Sequence, residues 1–489
     1  MIKNHADHPT TVTALFQALA VPNTWIEGKH DPRQHYTMPW ANWKSWKDAR
    51  RRLAAFEQSF TGEIQWHPFN DSTSNDGPMT LNAFPGRAFI ERVTNAADAC
   101  LEMKAHASDA DSYPHSPREA VELWFKAGQD IMVAKTSDDT AEQLARETIN
   151  IRIFGGNSKV DPKDCILDVR DFGVGLSATD MPQTILSLNR GLKKSKPYLT
   201  GKHGQGASST YQYSDLTLIA SRREIDAEVA FTLVEASWAN DDGTVAKTPT
   251  YRYLTVAGKI PTVEISKELQ FEPGTLIRHI GYNADFNAAL GEKSMYGLLM
   301  RSLALPLLPV WLELFNMQPG TAKGVRTEPG YRRYGRTIRG TVNSLNRAYH
   351  QTLSPPSGKQ PKTRILHRMS SIYCMGEWEY GGRTGVADLG QARITYWVID
   401  PADRSANEAI KNFVDPSKSI LFTLDGQTHA EESRAIVTGQ RGAKLWAVGQ
   451  YMIVHVDCDE LDPRAKYEMF TSTREHVKDT PIRSMIMTS

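Results

Sequence analysis

Cysteine is scarce in this sequence: four in 489 residues, Cys100, Cys165, Cys374 and Cys458, far apart and without a CxxC pair. That spacing suits neither a zinc cluster nor a disulfide framework, so reduced thiols in a cytosolic protein are expected. An excess of one charge is also missing, since 57 Lys plus Arg nearly cancel 56 Asp plus Glu. The balance argues against wholesale wrapping of nucleic acid and leaves only a local basic face open. Long apolar runs are absent. The greasiest stretch, Ser302 to Leu312, holds Pro306 and Pro309 and is too short to cross a bilayer. It reads as buried helix and turn, and no membrane partner is expected. The opening MIKNHADHPTTVTALF lacks a basic segment followed by an apolar one, so no secretion signal is expected either. No internal repeat or long low-complexity tract occurs.

What is present is an ordinary globular composition spread over a chain too long for one core, so two or three domains are expected. The Trp- and Arg-rich stretch MPWANWKSWKDARRRLAAF predicts an amphipathic helix, followed by a polar loop at NDSTSNDGP. A long helix is predicted from about Pro85 to Lys104, with the proline near its start, where it is tolerated. Residues 105–117 read as a surface loop, and PREAVELWFKAGQDIMVA as a helical insert. Alternation at Ile149, Ile151 and Ile153 predicts a strand, as do CILDVRD, SDLTLIAS, EVAFTLVEA, PTVEIS and GTLIRHI. A helical stretch near 293–315 leads into a second mixed region. There RITYWVID, SILFTLDG and YMIVHVDCD read as strands, with HAEESRAIVTG as a helix between the last two. This order fits an α+β sandwich better than a βαβ repeat. The expected division is an N-terminal extension (1–80), a first domain (81–290, with the insert near 115–147) and a second mixed domain (291–489).

Four short patterns carry chemistry. In FIERVTNAADAC, Glu91, Asn95 and Asp98 stand at i, i+4 and i+7 on one helix stripe among small and apolar neighbours, and buried polar groups there need partners. In DFGVG, Asp171 follows a strand and is trailed by Gly173 and Gly175, which allow a sharp turn and the approach of a flat ring. The DFG triplet has no HRD sequence before it and no Gly-rich loop at the chain start, so a protein kinase is not expected. In GLKKSKPYLTGKHGQGASST, Gly201, Gly204 and Gly206 leave backbone N–H groups to cradle phosphates. A helix predicted from Ala207 adds its positive end, and Lys193, Lys194, Lys196 and Lys202 add charge. The loop is neither a Walker A nor a dinucleotide fingerprint. In FEPGTLIRHIGY, Gly274-Thr275 opens a strand, and the hydroxyl can meet a purine edge or a water. Alone, each pattern also fits a plain structural element.

Together, and in this order, ExxxNAxDA (Glu91 to Ala99), DxGxG (Asp171 to Gly175), GxxGxG (Gly201 to Gly206) and GT (Gly274-Thr275) resemble the Bergerat ATP site. Gyrase B, MutL, heat-shock chaperones and histidine kinases share that site, and the likeness covers about residues 80–285. GKHGQGAS is similar to the corresponding loop of gyrase B. The resemblance implies an α/β sandwich that binds ATP and magnesium and hydrolyses ATP. Glu91 would be the general base, Asn95 the magnesium ligand and Asp171 the acceptor for the adenine amino group. Gly201, Lys202, His203, Gly204, Gln205 and Gly206 would lie against the phosphates. Asp98, Gly173, Gly175 and Thr275 would complete the pocket. About seventy residues separate the first two motifs, more than in compact members, and the helical insert explains the excess.

The relatives follow this domain with a transducer that sends a basic residue to the γ-phosphate. Gln427, Arg434, Arg441 and Lys444 are candidates here, and Lys444, in the turn GQRGAK, is favoured. His455, Asp457 and Asp459 read as the polar face of an edge strand rather than as metal ligands. Three activities compete: a nucleotide-gated clamp, a folding chaperone and a histidine kinase. The kinase needs a helical dimerisation segment with its target histidine before Glu91, and the chaperone an acidic linker and a client-binding region. Neither pattern is present, so the clamp leads. It implies an ATP-dependent homodimer, with Trp43, Trp46 and Leu53 as anchors in a crossing segment. By likeness to MORC-like bacterial ATPases it also implies a nuclease or helicase effector in DNA metabolism or anti-phage defence. Nucleic acid stays open as a partner.

Overall fold

The computed structural model describes residues 10–20, 46–72, 75–77, 84–108, 113–126, 132, 138–154, 165–188, 196–200, 206–240, 242–267, 269–283, 294–322, 325–355, 361, 363–380, 385–402, 404–439, 444–471 and 477–488. The chain is a mixed α/β protein of two compact units. One comprises residues 1–120, 142–289 and 310–337, the other 121–141, 290–309 and 338–489. Among the described residues no helix is long and apolar enough to cross a membrane.

The helices in chain order are α1 (Val12–Ala20), α2 (Trp46–Ser59), α3 (Pro85–His106), α4 (Pro117–Phe125), α5 (Asp138–Thr148), α6 (Met295–Ser302) and α7 (Thr341–Leu353), with shorter ones after them. The first unit is built on strands β1 (Ile64–Pro68), β2 (Ile149–Phe154), β3 (Ile166–Asp171), β4 (Leu216–Arg222), β5 (Glu228–Ala239), β6 (Val245–Val256), β7 (Thr262–Glu264), β8 (Gly274–Ile280), β9 (Val310–Ala322) and β10 (Val325–Ile338). They form one sheet in the order β1-β6-β5-β4-β8-β3-β2-β9-β10, with β7 on β5. β2 and β9 run parallel; the neighbours from β1 to β2 are antiparallel.

Both faces of the central strands are buried, so β3 and β8 read as unbroken buried runs. The side-chain period of two then decides which face each residue serves. Leu216, Leu218, Ala220, Leu276 and Ile280 join Leu15, Phe16, Leu19, Ala49, Leu53 and Phe56 of α1 and α2 in one apolar core. Each large side chain fully buried there contributes about 1.5–3 kcal/mol. The residues of opposite parity on β3, β4 and β8 line up in register as three rows: Asp171, Thr275 and Ser221; Val169, Ile277 and Ile219; Leu167, His279 and Thr217. α3 lies on this second face. Pro85 occupies its first turn, and Lys104 and His106 stand in its last turn, where cations favour the helix dipole.

The second unit holds a five-stranded sheet, β11 (Ile365–Cys374), β14 (Gln391–Ile399), β17 (Met452–Asp457), β15 (Ile420–Leu424) and β16 (Gln427–Glu432), in the order β11-β14-β17-β15-β16, and the separate hairpin β12 (Glu377–Tyr380) and β13 (Gly385–Asp388). Trp397, Ile399, Leu421 and Ile453 pack with Val342 and Leu345 of α7 on one face. Ala392, Phe422 and Val456 pack with Ala465, Met469 and Ile482 on the other.

Several expectations change. HAEESRAIVTG is split: His429–Glu432 belong to β16, which pairs with β15 through Glu432, and the helix is confined to Ala435–Thr438. The helix near 293–315 ends at Ser302, where prolines interrupt it, and β9 begins at Val310. β17 is an interior strand, and His455 is buried with Nε2 2.7 Å from Thr423 Oγ1. Between α2 and the polar stretch NDSTSNDGP the chain forms a strand that was not expected, β1, which pairs with β6. Leu53 is not a surface anchor: it lies in the core of its own unit, 3% exposed. Trp43 and the side chain of Trp46 lie outside the described residues.

Candidate functional site

α3 gathers three of the four sequence patterns. Its buried face includes Phe89, Ile90, Val93, Ala96, Ala97 and Asp98, while Glu91 and Asn95 are half-buried. At Ala99, one turn after Asn95, the helix meets the turn that follows β3. Val174 N donates to Ala99 O at 3.1 Å, and a Cβ on Gly173 would stand 2.5 Å from the Ala99 carbonyl carbon. Gly173 is therefore required by helix–strand contact. Gly175 has φ +69°, and a Cβ there would meet Arg222 O at 2.0 Å, so it lets the same turn close on the end of β4. Both glycines have packing reasons that need no ring beside them.

Asp98, 1% exposed, accepts from Thr200 N at 2.9 Å and Thr200 Oγ1 at 2.8 Å. This fixes the residue before Gly201 to the helix. After the glycine loop, Arg92 Nε donates to Thr210 Oγ1 at 2.9 Å, and its guanidinium lies 4.6 Å from the Tyr211 ring centroid. Both flanks of the loop are thus tied to α3. Gly201, Lys202, His203, Gly204 and Gln205 lie outside the described residues, as do Lys193, Lys194 and Arg441. The helix expected from Ala207 begins at Gly206 and is a 3-10 helix, Gly206–Tyr213.

Asp171 closes β3 beneath this helix. Its Oδ1 accepts from Gly173 N at 3.0 Å and Thr275 N at 3.2 Å. Among the described residues no donor reaches Oδ2 and no cation pairs with Asp171. The neighbouring Arg170 turns to the other face, donates to the Asp171 backbone carbonyl at 2.7 Å and stacks on Phe271. Burial pushes the Asp171 carboxyl up to about 6, against the opposing pull of Arg170 and of the backbone amides of Gly173, Thr275 and Asp171 itself. A carboxylate kept buried without a cation on its oxygens is costly to the fold. Such a group, beside a turn and facing a helix with half-buried polar residues, is a candidate ligand acceptor.

Thr275 sits opposite Asp171 and follows Gly274, whose φ of +114° and closeness to Asp171 O exclude a side chain. Ser221 on β4 was not singled out from the sequence, although it is a buried polar residue ending an apolar strand. Its Oγ lies 2.8 Å from Thr275 Oγ1. Thr200, likewise passed over, is the partner of Asp98.

Glu91, Asn95, Asp98, Asp171, Gly173, Gly175 and Thr275 therefore belong to one α3–β3–β8 assembly. Lys444 belongs to the second unit. It is exposed, has φ +58° and adjoins exposed Leu445 and Trp446. Arg434 is occupied within that unit by Gln450 O at 3.2 Å and Asn407 Oδ1 at 3.3 Å, and Gln427 is buried.

Models of known protein families give no match to this chain, and no curated protein matches it either.

Proposed function

We propose that the chain is a magnesium-dependent ATPase of Bergerat type, a conformational switch whose nucleotide site is the α3–β3–β8 assembly. The carrying observation is Asp171: buried, without an ion pair, one oxygen held by two amides and the other without a donor among the described residues. An adenine amino group would donate to Oδ2, and the guanine carbonyl at the same place would not. The hydrogen bonds that Thr200 donates to Asp98 and Arg92 donates to Thr210 support a phosphate role for the intervening Gly201–Gly206 loop, because they hold both of its flanks on the helix carrying Glu91 and Asn95.

The donor chemistry at Asn95 suits magnesium, a hard cation that takes a neutral amide oxygen together with phosphates and water. When bound, the ion would supply neutralisation of phosphate charge. Glu91, half-buried four residues before Asn95, would take the proton of the attacking water. Lys444 is the proposed basic residue from the second unit, and homodimerisation on ATP binding is part of the same proposal. Light scattering of Glu91→Ala with ATP and magnesium tests the latter, and an unchanged mass leaves a monomeric switch.

Calorimetry of ATP binding tests the site itself. Wild type should bind ATP, and Asp171→Asn should lose at least about tenfold in affinity, in keeping with a net charge-assisted hydrogen bond of about 1.5–3 kcal/mol. A folded Asp171→Asn protein with wild-type ATP affinity would remove the adenine assignment.

A further inference from the structure

Ser221, fully buried at the end of β4, shares a row with Thr275 and Asp171. A serine hydroxyl has one proton and two lone pairs. Three neighbours are within reach of this one: Leu176 N at 2.8 Å, Thr275 Oγ1 at 2.8 Å and Gly274 O at 3.1 Å. The Leu176 amide can only donate and the Gly274 carbonyl can only accept. Ser221 accepts from the first, and the one arrangement that makes all three contacts hydrogen bonds gives its own proton to the second. One lone pair remains, and the contact with Thr275 is a hydrogen bond only if Thr275 donates. With its proton turned to Ser221, the Thr275 hydroxyl offers lone pairs alone to anything else that meets it. Its amide N–H is committed to Asp171 Oδ1. The row is left as a set of acceptors.

We propose that Ser221 is a specificity-determining positioning residue: by holding Thr275 as an acceptor, it makes this row select a purine with a 6-amino group over one with a 6-oxo group. The proposal rests on the ATP-site reading and deepens it. A 6-amino group brings two protons to a row of acceptors. A 6-oxo group brings lone pairs and leaves the acceptors facing one another, so the mismatched base loses bonds and adds repulsion.

Ser221→Ala releases the Thr275 proton, and that hydroxyl can then rotate and donate to a 6-oxo group. Full-length wild type, Ser221→Ala, Thr275→Val and the double variant are titrated by calorimetry with ATP and with inosine triphosphate. Wild type should prefer ATP, and Ser221→Ala should cut the ratio of affinities about fivefold or more, the scale of one neutral hydrogen bond. In the Thr275→Val background the same substitution should leave the ratio unchanged within twofold, because Ser221 acts through Thr275. Ser221→Cys, which keeps the shape with a somewhat larger atom but donates and accepts weakly, serves if Ser221→Ala does not fold, with the same expected drop. A purely structural Ser221 would lower both affinities in proportion. An unchanged ratio in the single variant, or an equal drop in the Thr275→Val background, overturns the proposal while ATP binding by wild type stands. Wild type that binds no ATP sinks the site reading and this inference with it.

Discussion

Asp168 and Asp171 lie three residues apart on β3, both buried, and face opposite sides of the sheet. Asp168 is matched twice over by Arg278, with Nε to Oδ1 at 2.8 Å and Nη2 to Oδ2 at 2.7 Å, both side chains being fully enclosed. The same guanidinium donates from Nη1 to Leu19 O at 2.8 Å, so the pair also fastens the end of α1 to the sheet. Asp171 has two amides on one oxygen, no ion pair among the described residues and a raised pKa. One strand thus carries a carboxylate whose bonds are complete within the fold and another whose bonds are not. Completeness marks Asp168 as structural, and its lack is what makes Asp171 the candidate site.

The largest effect should come from breaking the complete pair. Arg278→Met strands a buried carboxylate and releases Leu19 O, at a cost of about 3–5 kcal/mol by analogy with other half-broken buried pairs. Denaturant titration should show it, and Asp168→Leu combined with Arg278→Met should recover most of the loss. Equal destabilisation of the single and double variants would mean that the pair matters through packing instead of charge. On the opposite face Glu91→Ala should leave ATP binding intact while turnover falls roughly a hundredfold or more, the scale of a lost general base. Parallel losses of binding and turnover would make Glu91 a structural residue.

A smaller loss is expected from Asp98→Ala. The Thr200 amide and hydroxyl lose a charged acceptor, which costs about 1.5–3 kcal/mol. Amide exchange at Thr200 should quicken and ATP affinity fall. Weakened ATP binding with Thr200 still protected would separate Asp98 from the loop and refute that link.

Much of the first unit was legible in the sequence because its strongest signals are local. Strand periodicity and bounding turns disclose β2, β3, β4, β5, β7 and β8, and proline at the first turn discloses α3. The four patterns also come together in space as far as they are described, apart from the loop at Gly201–Gln205. What escaped is what only tertiary context decides. β1 and β6 are short of apolar alternation because most of their residues are half-buried or exposed. HAEE has helix-forming residues, but pairing with β15 overrides that preference. The amphipathic face of α2 says that it packs, not against which surface, and Leu53 proves to pack at home. Ser221 drew no notice because a lone serine in a strand becomes informative only when its three neighbours are known.

Asp171 can be tested without assuming any role for its neighbours. A carboxyl whose pKa rises from 3.8 to about 6 on folding binds protons more tightly in the folded state. Stability therefore falls as pH climbs through that window, and the full penalty persists above it. Asparagine keeps an oxygen for the Gly173 and Thr275 amides and carries no charge. The decisive measurement is thermal unfolding of wild type and Asp171→Asn at pH 8, each with and without ATP and magnesium. If Asp171 is retained for a ligand, the variant without ATP unfolds at the same temperature as wild type or higher, and ATP raises the unfolding temperature of wild type alone. A variant that unfolds earlier than wild type, or that gains as much from ATP, would contradict that conclusion and place Asp171 beside Asp168 as part of the fold.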